Sequence, residues 1–587
     1  MKEETTTIAG GEDPFLWLEE VEGERALAWA REQNERALAR LETDPRFAAI
    51  RDAALAVYTA ADRIPYGEIR NGNVDNFWQD KDHVRGLWRR ATLASYASES
   101  PDWRTLLDLD ALAAAEGENW VWKGADCLPP AFDRCVLRLS RGGADAVVLR
   151  EFDTQSGQFV GGGFALGEEK QNVAWLDADR LLIASPLEGG SKNTSGYART
   201  IRLWQRGTPL ADAQQVFESA ETDAFVFPAV FHRPEGREAF IVRAPDFFHQ
   251  TVYHMGAGGA LSALPLPDDV DFRGVIDGQL IALLRSDWAV DGFSAPAGAV
   301  VSVPLASLDA GKVDGAAIIA APSETLAIQD VARTADAVYV TALDNVTGRL
   351  MRATRDGDGW RTRDITLPPN GTVSLVSADE LSDTLFFNFE SFLDPDTLYL
   401  ARDGGDPEPV KHMPARFDAA DYTVEQQFAT SADGTRVPYF LIRAKEMAFD
   451  GSTPTILYGY GGFEISLSPS YLSPLAIEWL KRGGAYAVAN IRGGGEFGPR
   501  WHKAALKENR PRAYEDFAAV AEDLVARQVT SARRLGIYGG SNGGLLVGAT
   551  MVRYPQLCGA VVSSVPLLDM LLYHKLLDGE SWIGEYG

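Results

Sequence analysis

Apolar positions along the chain follow three successive rules. From Glu24 to Ala60, Ala26, Leu27, Trp29 and Ala30 lead into a charged stretch, and Phe47, Ile50, Ala54 and Val57 follow at i, i+3/i+4. That is the spacing of one helix face and predicts a pair of packing helices. From about Asn71 to Arg416 short β-rich runs take over. They include Cys135–Leu139, Ala146–Phe152, Thr200–Trp204, Ala239–Val242, Ala299–Val303, Ala337–Ala342, Thr384–Phe389 and Thr397–Ala401. Turn residues such as Arg141-Gly142-Gly143-Ala144-Asp145 separate them. No helix is expected in this block, and so many closely spaced strands predict a sandwich array or a propeller. No sharp motif repeat fixes a blade count.

Near Asp418 the pattern changes again. Tyr422–Thr430 and Arg436–Arg443 alternate like a hairpin around Ala432-Asp433-Gly434. Apolar strands follow at Thr455–Tyr458, Ala485–Ile491, Leu535–Tyr538 and Gly559–Ser563. Helical patterns lie between them at Tyr514–Gln528, with Phe517, Ala521, Leu524 and Val525 on one side, and at Asn542–Tyr554. Strand and helix alternating at this spacing predict a parallel α/β sheet.

The chain has 587 residues, 45% hydrophobic and 24% charged, close to an average globular protein and enough for more than one domain. Its net charge is −27. Such a surface repels phosphate backbones and anionic lipid, so neither nucleic acid nor a membrane is an expected partner. No apolar run reaches the length of a transmembrane helix, and the first residues contain no apolar signal core. Cys127, Cys135 and Cys558 have no metal-type spacing. They argue against a disulfide framework and for a reducing compartment, so the cytoplasm is the expected location. Gly161-Gly162-Gly163 and Gly493-Gly494-Gly495 are not followed by the Lys-Ser/Thr of a phosphate loop, and Asp418, Asp421 and Asp433 lack metal-ligand spacing. No metal or organic cofactor is implied.

The sharpest chemical signal is Gly539-Gly540-Ser541-Asn542-Gly543 between a predicted strand and a predicted helix, the setting of a nucleophile elbow. The serine sits on a tight turn where side chains two before and two after it would clash. The backbone N–H of Asn542 then faces the space where an oxyanion would form, at a helix N-terminus. A second glycine-rich stretch, Leu457-Tyr458-Gly459-Tyr460-Gly461-Gly462-Phe463, ends a predicted strand. It stands where a hydrolase of this kind takes its other oxyanion donor.

With these motifs in place the chain resembles the prolyl oligopeptidase family of serine peptidases. The likeness rests on Asp13-Pro14-Phe15-Leu16-Trp17-Leu18-Glu19, Ala28-Trp29 and Gln33-Asn34, then on Tyr458 to Phe463, Asn490 to Gly498, Trp501-His502 and Gly539 to Gly544. The resemblance implies a seven-bladed β-propeller over an α/β-hydrolase domain. The implied divisions are an N-terminal helical segment at 1–70 that packs on the hydrolase domain, the propeller at 71–416 and the hydrolase domain at 417–587. It implies that Ser541 is the nucleophile and that the Asn542 N–H and the Tyr460 hydroxyl form the oxyanion hole. Phe463, Trp582 and Tyr586 would line a proline-accepting pocket, a role that suits flat aromatic faces. Short peptides are the implied substrates and a monomer the expected state. Arg492 and Glu496 read as an ion pair or as part of the site's rim.

The family's triad Asp and His lie farther downstream of the nucleophile than Gly587, so both triad members and the last strands of the sheet are expected to be missing from these residues. Neither His502 nor His574 is expected to act as the base, nor Asp569 as the triad acid, and the 587 residues alone are expected to hydrolyse peptides negligibly. Two other readings stay open. One is a relative on the same scaffold that cuts after basic residues or releases acylated ones. The other is a non-catalytic propeller and half-hydrolase that only binds.

Overall fold

The computed structural model describes residues 7–8, 11–186, 192–290, 292–577 and 579–587. Seven antiparallel sheets of mostly four strands follow one another from 67–108, 120–169, 172–218, 225–263, 271–320, 326–365 and 372–412. Each meanders outward from an inner strand, and together they form a seven-bladed β-propeller, blades one to seven. The ring closes without strand exchange. Ile69, Val74 and Tyr96 of blade one pack directly against Phe386, Leu398 and Leu400 of blade seven. Similar apolar clusters fill the other gaps between blades, such as Val136, Leu149 and Trp175 between blades two and three. Middle strands such as Val338–Asp344 and Thr384–Glu390 are therefore buried on both faces, which explains their runs of consecutive apolar residues.

Before the propeller lie α1 (Glu24–Leu41) and α2 (Phe47–Tyr58), the predicted helix pair. After it comes one six-stranded sheet. Its strands are β1 (Tyr422–Thr430), β2 (Arg436–Ala444), β3 (Thr455–Gly459), β4 (Ala485–Ala489), β5 (Leu535–Gly540) and β6 (Ala560–Ser564), in the spatial order β1-β2-β4-β3-β5-β6. β1 and β2 are the antiparallel hairpin, and β3 to β6 pair in parallel. On one face α5 (Pro511–Ala526) and α6 (Asn542–Arg553) cover Leu441, Leu457, Ala487 and Ile537, with Phe517 of α5 fully buried among them. On the other, α3 (Pro474–Lys481) packs Ile477 and Leu480 against Phe440 and Val488, and α2 rests on α3; the short α4 (Pro499–Lys503) follows β4. Helices on both faces of a largely parallel sheet are the α/β-hydrolase arrangement. No described helix is long and apolar enough to cross a membrane.

Three expectations need correction. The β block holds a short helix, Leu109–Glu116, as well as strands. Both of its ends are written in the sequence. The Asp108 carboxylate accepts from Ala111 N, and Gly117 closes the other end at φ +69°. Cys127 and Cys135 form a disulfide between directly paired residues of blade two. That bond removes the argument from cysteine count for a reducing compartment. It was hidden in the sequence because strand register, and not spacing along the chain, set the pair opposite each other.

The third correction concerns Arg492, which does not pair with Glu496. Its guanidinium donates to Asp516 at 2.6 and 2.9 Å and to Asp433 at 2.5 and 3.2 Å. The buried Arg492 thus ties the β1–β2 turn to α5, and it holds the Asp433 carboxyl well below its usual range. Deleting Asp516, the buried carboxylate of the pair, leaves the Arg492 guanidinium with the more exposed Asp433 alone. Asp516→Ala is expected to destabilise the hydrolase domain by about 3–5 kcal/mol, read as a shift in the urea unfolding midpoint.

Candidate active site

The site begins at the β5–α6 turn. Ser541 has φ +54° and ψ −120°, a left-handed strain for a residue with a side chain. Two glycines permit the turn. A Cβ on Gly539 would collide with the Gly543 carbonyl, and one on Gly543 would stand 2.6 Å from Gly459 O. Backbone bonds then lock it. Ser541 N donates to Ser564 O of β6 at 2.9 Å, and Ser541 O accepts from Gly544 N at 2.8 Å and Leu545 N at 3.1 Å. Asn542 opens α6, and among the described residues its backbone N–H has no acceptor. It points from a helix N-terminus, where the peptide dipoles favour negative charge.

The loop after β3 supplies the facing wall. The Asn542 side chain donates to Tyr460 O at 2.7 Å and so pins this loop to the elbow. Burial pushes the Tyr460 phenol above its ordinary value, while the neighbouring Ser541 side chain pulls the other way. The phenol therefore remains a proton donor beside the serine. Phe463 and Glu464 both hold positive φ, +54° and +58°. That double turn swings the Phe463 ring against Tyr586, 5.7 Å away and edge-on. The Tyr586 hydroxyl donates to Asn542 Oδ1 at 2.9 Å. Ser541, Tyr460, Asn542, Phe463 and Tyr586 are thus brought together. Trp582 lies on the same short helical segment as Tyr586, half-buried, and among the described residues no ring stacks on it.

The propeller closes over this group. Phe247 of blade four meets Phe463 edge-on at 6.4 Å, and Phe248 lies 5.0 Å from the His502 ring. Arg285 of blade five pairs with Glu464. Lys503 reaches Asp269 at 3.1 Å, and Gln329 of blade six donates to Gly495 O at 3.1 Å. A cavity of about 130 Å³ lies in this seam, lined in part by Phe463, Glu464, Arg285 and Gln329. A cavity of about 1150 Å³ lies on the flank between blade seven and β1 and holds none of the site residues.

No histidine or carboxylate is hydrogen-bonded to Ser541 among the described residues. His502 is buried, and its Nε2 pairs with Glu585 Oε2 at 2.8 Å. Asp569 accepts from Leu571 N and Leu572 N within its own turn. Sequence reasoning missed Arg510, Glu585 and the propeller residues Phe247, Phe248 and Arg285. Glu585 directly precedes Tyr586 in a stretch already singled out. The others carry no local signal, since only the fold brings them to the site.

A sheet capped by a propeller, with a strained serine at a strand–helix elbow, defines an α/β-hydrolase with a propeller domain. Residues 5–411 match the family described as "Prolyl oligopeptidase, N-terminal beta-propeller domain", and 470–587 match the "Prolyl oligopeptidase family". The chain belongs to the prolyl oligopeptidase family. It is 43% identical over 585 residues to an uncharacterized peptidase of Sinorhizobium fredii, covering 98% of this chain and 80% of that one. A prolyl endopeptidase of Elizabethkingia miricola is 41% identical over 233 residues, 40% of this chain and 33% of its own. A solved post-proline cleaving enzyme from Rickettsia typhi superposes with a TM-score of 0.91 at 32% identity, covering 97% of this chain and 85% of that one.

Behind the site, Glu496 is fully enclosed. One oxygen accepts from Leu467 N at 2.9 Å and the other has no partner. Burial pushes its carboxyl up to about 7 from an ordinary 4.5. A carboxyl raised in the native state supports the fold while protonated and loses that support as pH climbs through about 7. Between pH 5 and 8 the wild type is expected to lose about 3 kcal/mol from this group. Glu496→Gln, which cannot ionise, should remove that slope. Urea unfolding at several pH values checks it, and parallel curves for the two proteins would reject it.

Proposed function

We propose that this peptidase is of the serine type, works as a monomer and cleaves short peptides on the C-terminal side of proline through an acyl-enzyme on Ser541. The observation that carries the reading is the convergence at one point of the strained Ser541, the unpaired Asn542 N–H and the Tyr460 hydroxyl, beside the aromatic walls of Phe463 and Tyr586. Ser541 Oγ attacks the scissile carbonyl and passes its proton to a general base. The carbonyl oxygen becomes an oxyanion that accepts from Asn542 N–H and Tyr460 OH, both in place before the reaction starts. Collapse expels the amine and leaves an ester on Ser541, which water hydrolyses. As the family resemblance implies, that base is a histidine oriented by a carboxylate.

The pocket favours an apolar guest. Two carboxylates beside the pocket residues are already engaged, Glu464 by Arg285 and Glu585 by Arg510. Neither is free as counter-charge for a basic side chain, which weighs against cleavage after Lys or Arg. A flat pyrrolidine ring fits between aromatic edges and faces. The propeller residues over the site support a limit to short peptides.

Two measurements on the complete gene product test this reading. Ser541→Ala should abolish labelling by a fluorophosphonate and lower kcat by on the order of 10⁶-fold; labelling at another residue, with activity kept in the variant, would sink the assignment. Trp582→Ala should lower kcat/KM for proline at the cleaved position relative to alanine by a factor worth roughly 1–3 kcal/mol. An unchanged ratio returns Trp582 to packing.

A further inference from the structure

Arg510, the residue before the first turn of α5, is buried at the meeting point of all three pieces of the site. Its Nη1 donates to Gly461 O at 2.7 Å, in the loop that carries Tyr460 and Phe463. Its Nη2 donates to Asn542 Oδ1 at 2.6 Å, at the elbow. The same Nη2 stands 3.0 Å from Glu585 Oε1, an ionic contact whose N–H is aimed at Asn542. The guanidinium carbon lies 5.0 Å from the centre of the Tyr586 ring. Glu585 is wholly buried and is anchored from its other oxygen by His502 Nε2 at 2.8 Å. His502 is in turn covered by Phe248 of the propeller and faces Glu464 at 3.8 Å.

A buried charge of this kind costs desolvation and gives little net stability over an apolar replacement. A planar fork with several fixed donors does give geometry, because each bond fixes a direction as well as a distance. Here the directions lead to the oxyanion loop, the elbow and the pocket segment. Asn542 is constrained on both sides of its amide: its oxygen accepts from Arg510 and Tyr586, and its nitrogen donates to Tyr460 O. With the side chain held so, its backbone N–H is left aimed at the space above Ser541.

We propose that Arg510 is the positioning residue of the site, locking the Tyr460 loop, the Ser541 elbow and the Trp582–Tyr586 segment into one geometry, with Glu585 as its counter-charge and His502 as the support of Glu585. This role rests on the acyl-transfer reading given above. The oxyanion donors act on the transition state more than on bound substrate. Loss of their alignment therefore lowers kcat and leaves KM nearly alone.

The experiment uses the complete gene product in four forms: wild type, Arg510→Met, Arg510→Lys and the double variant Arg510→Met/Glu585→Gln. The double variant removes both buried charges, so it stays foldable if the single deletion does not. Active sites are counted with a fluorophosphonate, and turnover of a Gly-Pro amide is expressed per titrated site. Arg510→Met and the double variant should lose about 100-fold in kcat, the scale of a misplaced catalytic group, with KM changed less than about threefold. Arg510→Lys, which keeps the charge and one directed donor, should recover part of the loss. An unchanged kcat per titrated site, with only fewer sites or a lower melting temperature, overturns the proposal. Amide hydrogen exchange over 460–463 and 541–546 needs no turnover and should quicken in the double variant. Unchanged exchange also overturns it, whatever the substrate result. A wild type that neither labels at Ser541 nor cleaves the amide, with exchange still quickened in the variant, rejects the acyl-transfer reading and leaves Arg510 as the lock of the three segments.

Discussion

The backbone at Ser541 sits at a positive φ that a residue with a side chain does not hold unaided, and the hydrolase domain is arranged around holding it there. β5 must end beside β6 so that Ser564 O can take Ser541 N. α6 must start at once, so that Gly544 and Leu545 can return their N–H groups to Ser541 O. The parallel register of β3, β5 and β6 then sets the Tyr460 loop opposite the elbow. The strain is local, and the sheet core of Leu457, Ala487, Ile537 and Phe517 supports it.

Around that strained turn the protein uses arginine as its connector. The net charge is −27, yet three of the contacts that join separate segments near the site are made by guanidinium groups. Arg492 joins the β1–β2 turn to α5, Arg510 joins three loops, and Arg285 joins the propeller to Glu464. Each is paired, as a buried charge must be. A guanidinium suits this use because its donors lie in one plane at fixed angles, so pairing it specifies orientation as well as proximity.

The propeller contributes to the site without holding any of the proposed reacting groups. Phe247, Phe248, Arg285 and Gln329 come from the hydrolase-facing ends of blades four to six and meet Phe463, His502, Glu464 and Gly495. The seam mixes aromatic contacts with ion pairs and backbone hydrogen bonds. It resembles an interface between domains more than a continuous core.

Much of this was legible in one dimension. The helix pair, the strand-rich block and the shift to alternating strands and helices are periodicities of two and 3.6, and local sterics enforce them whatever the partner. The elbow was legible for the same reason: Gly539 and Gly543 flank a serine at a strand–helix junction, and the clash they avoid is between near neighbours. The short helix at 109–116 was as legible from its Asp108 and Gly117 caps, although the strands around it masked it. The rest depended on register and packing. Cys127 and Cys135 bond because two strands of blade two pair there. Arg492 chooses Asp516 and Asp433 over Glu496 because α5 and the β1–β2 turn meet at its head group. Arg510 and Glu585, 75 residues apart in the chain, meet only when the Trp582–Tyr586 segment folds back under the elbow. Long charged side chains can satisfy many partners equally well on paper, and only the packed fold leaves one of them within reach.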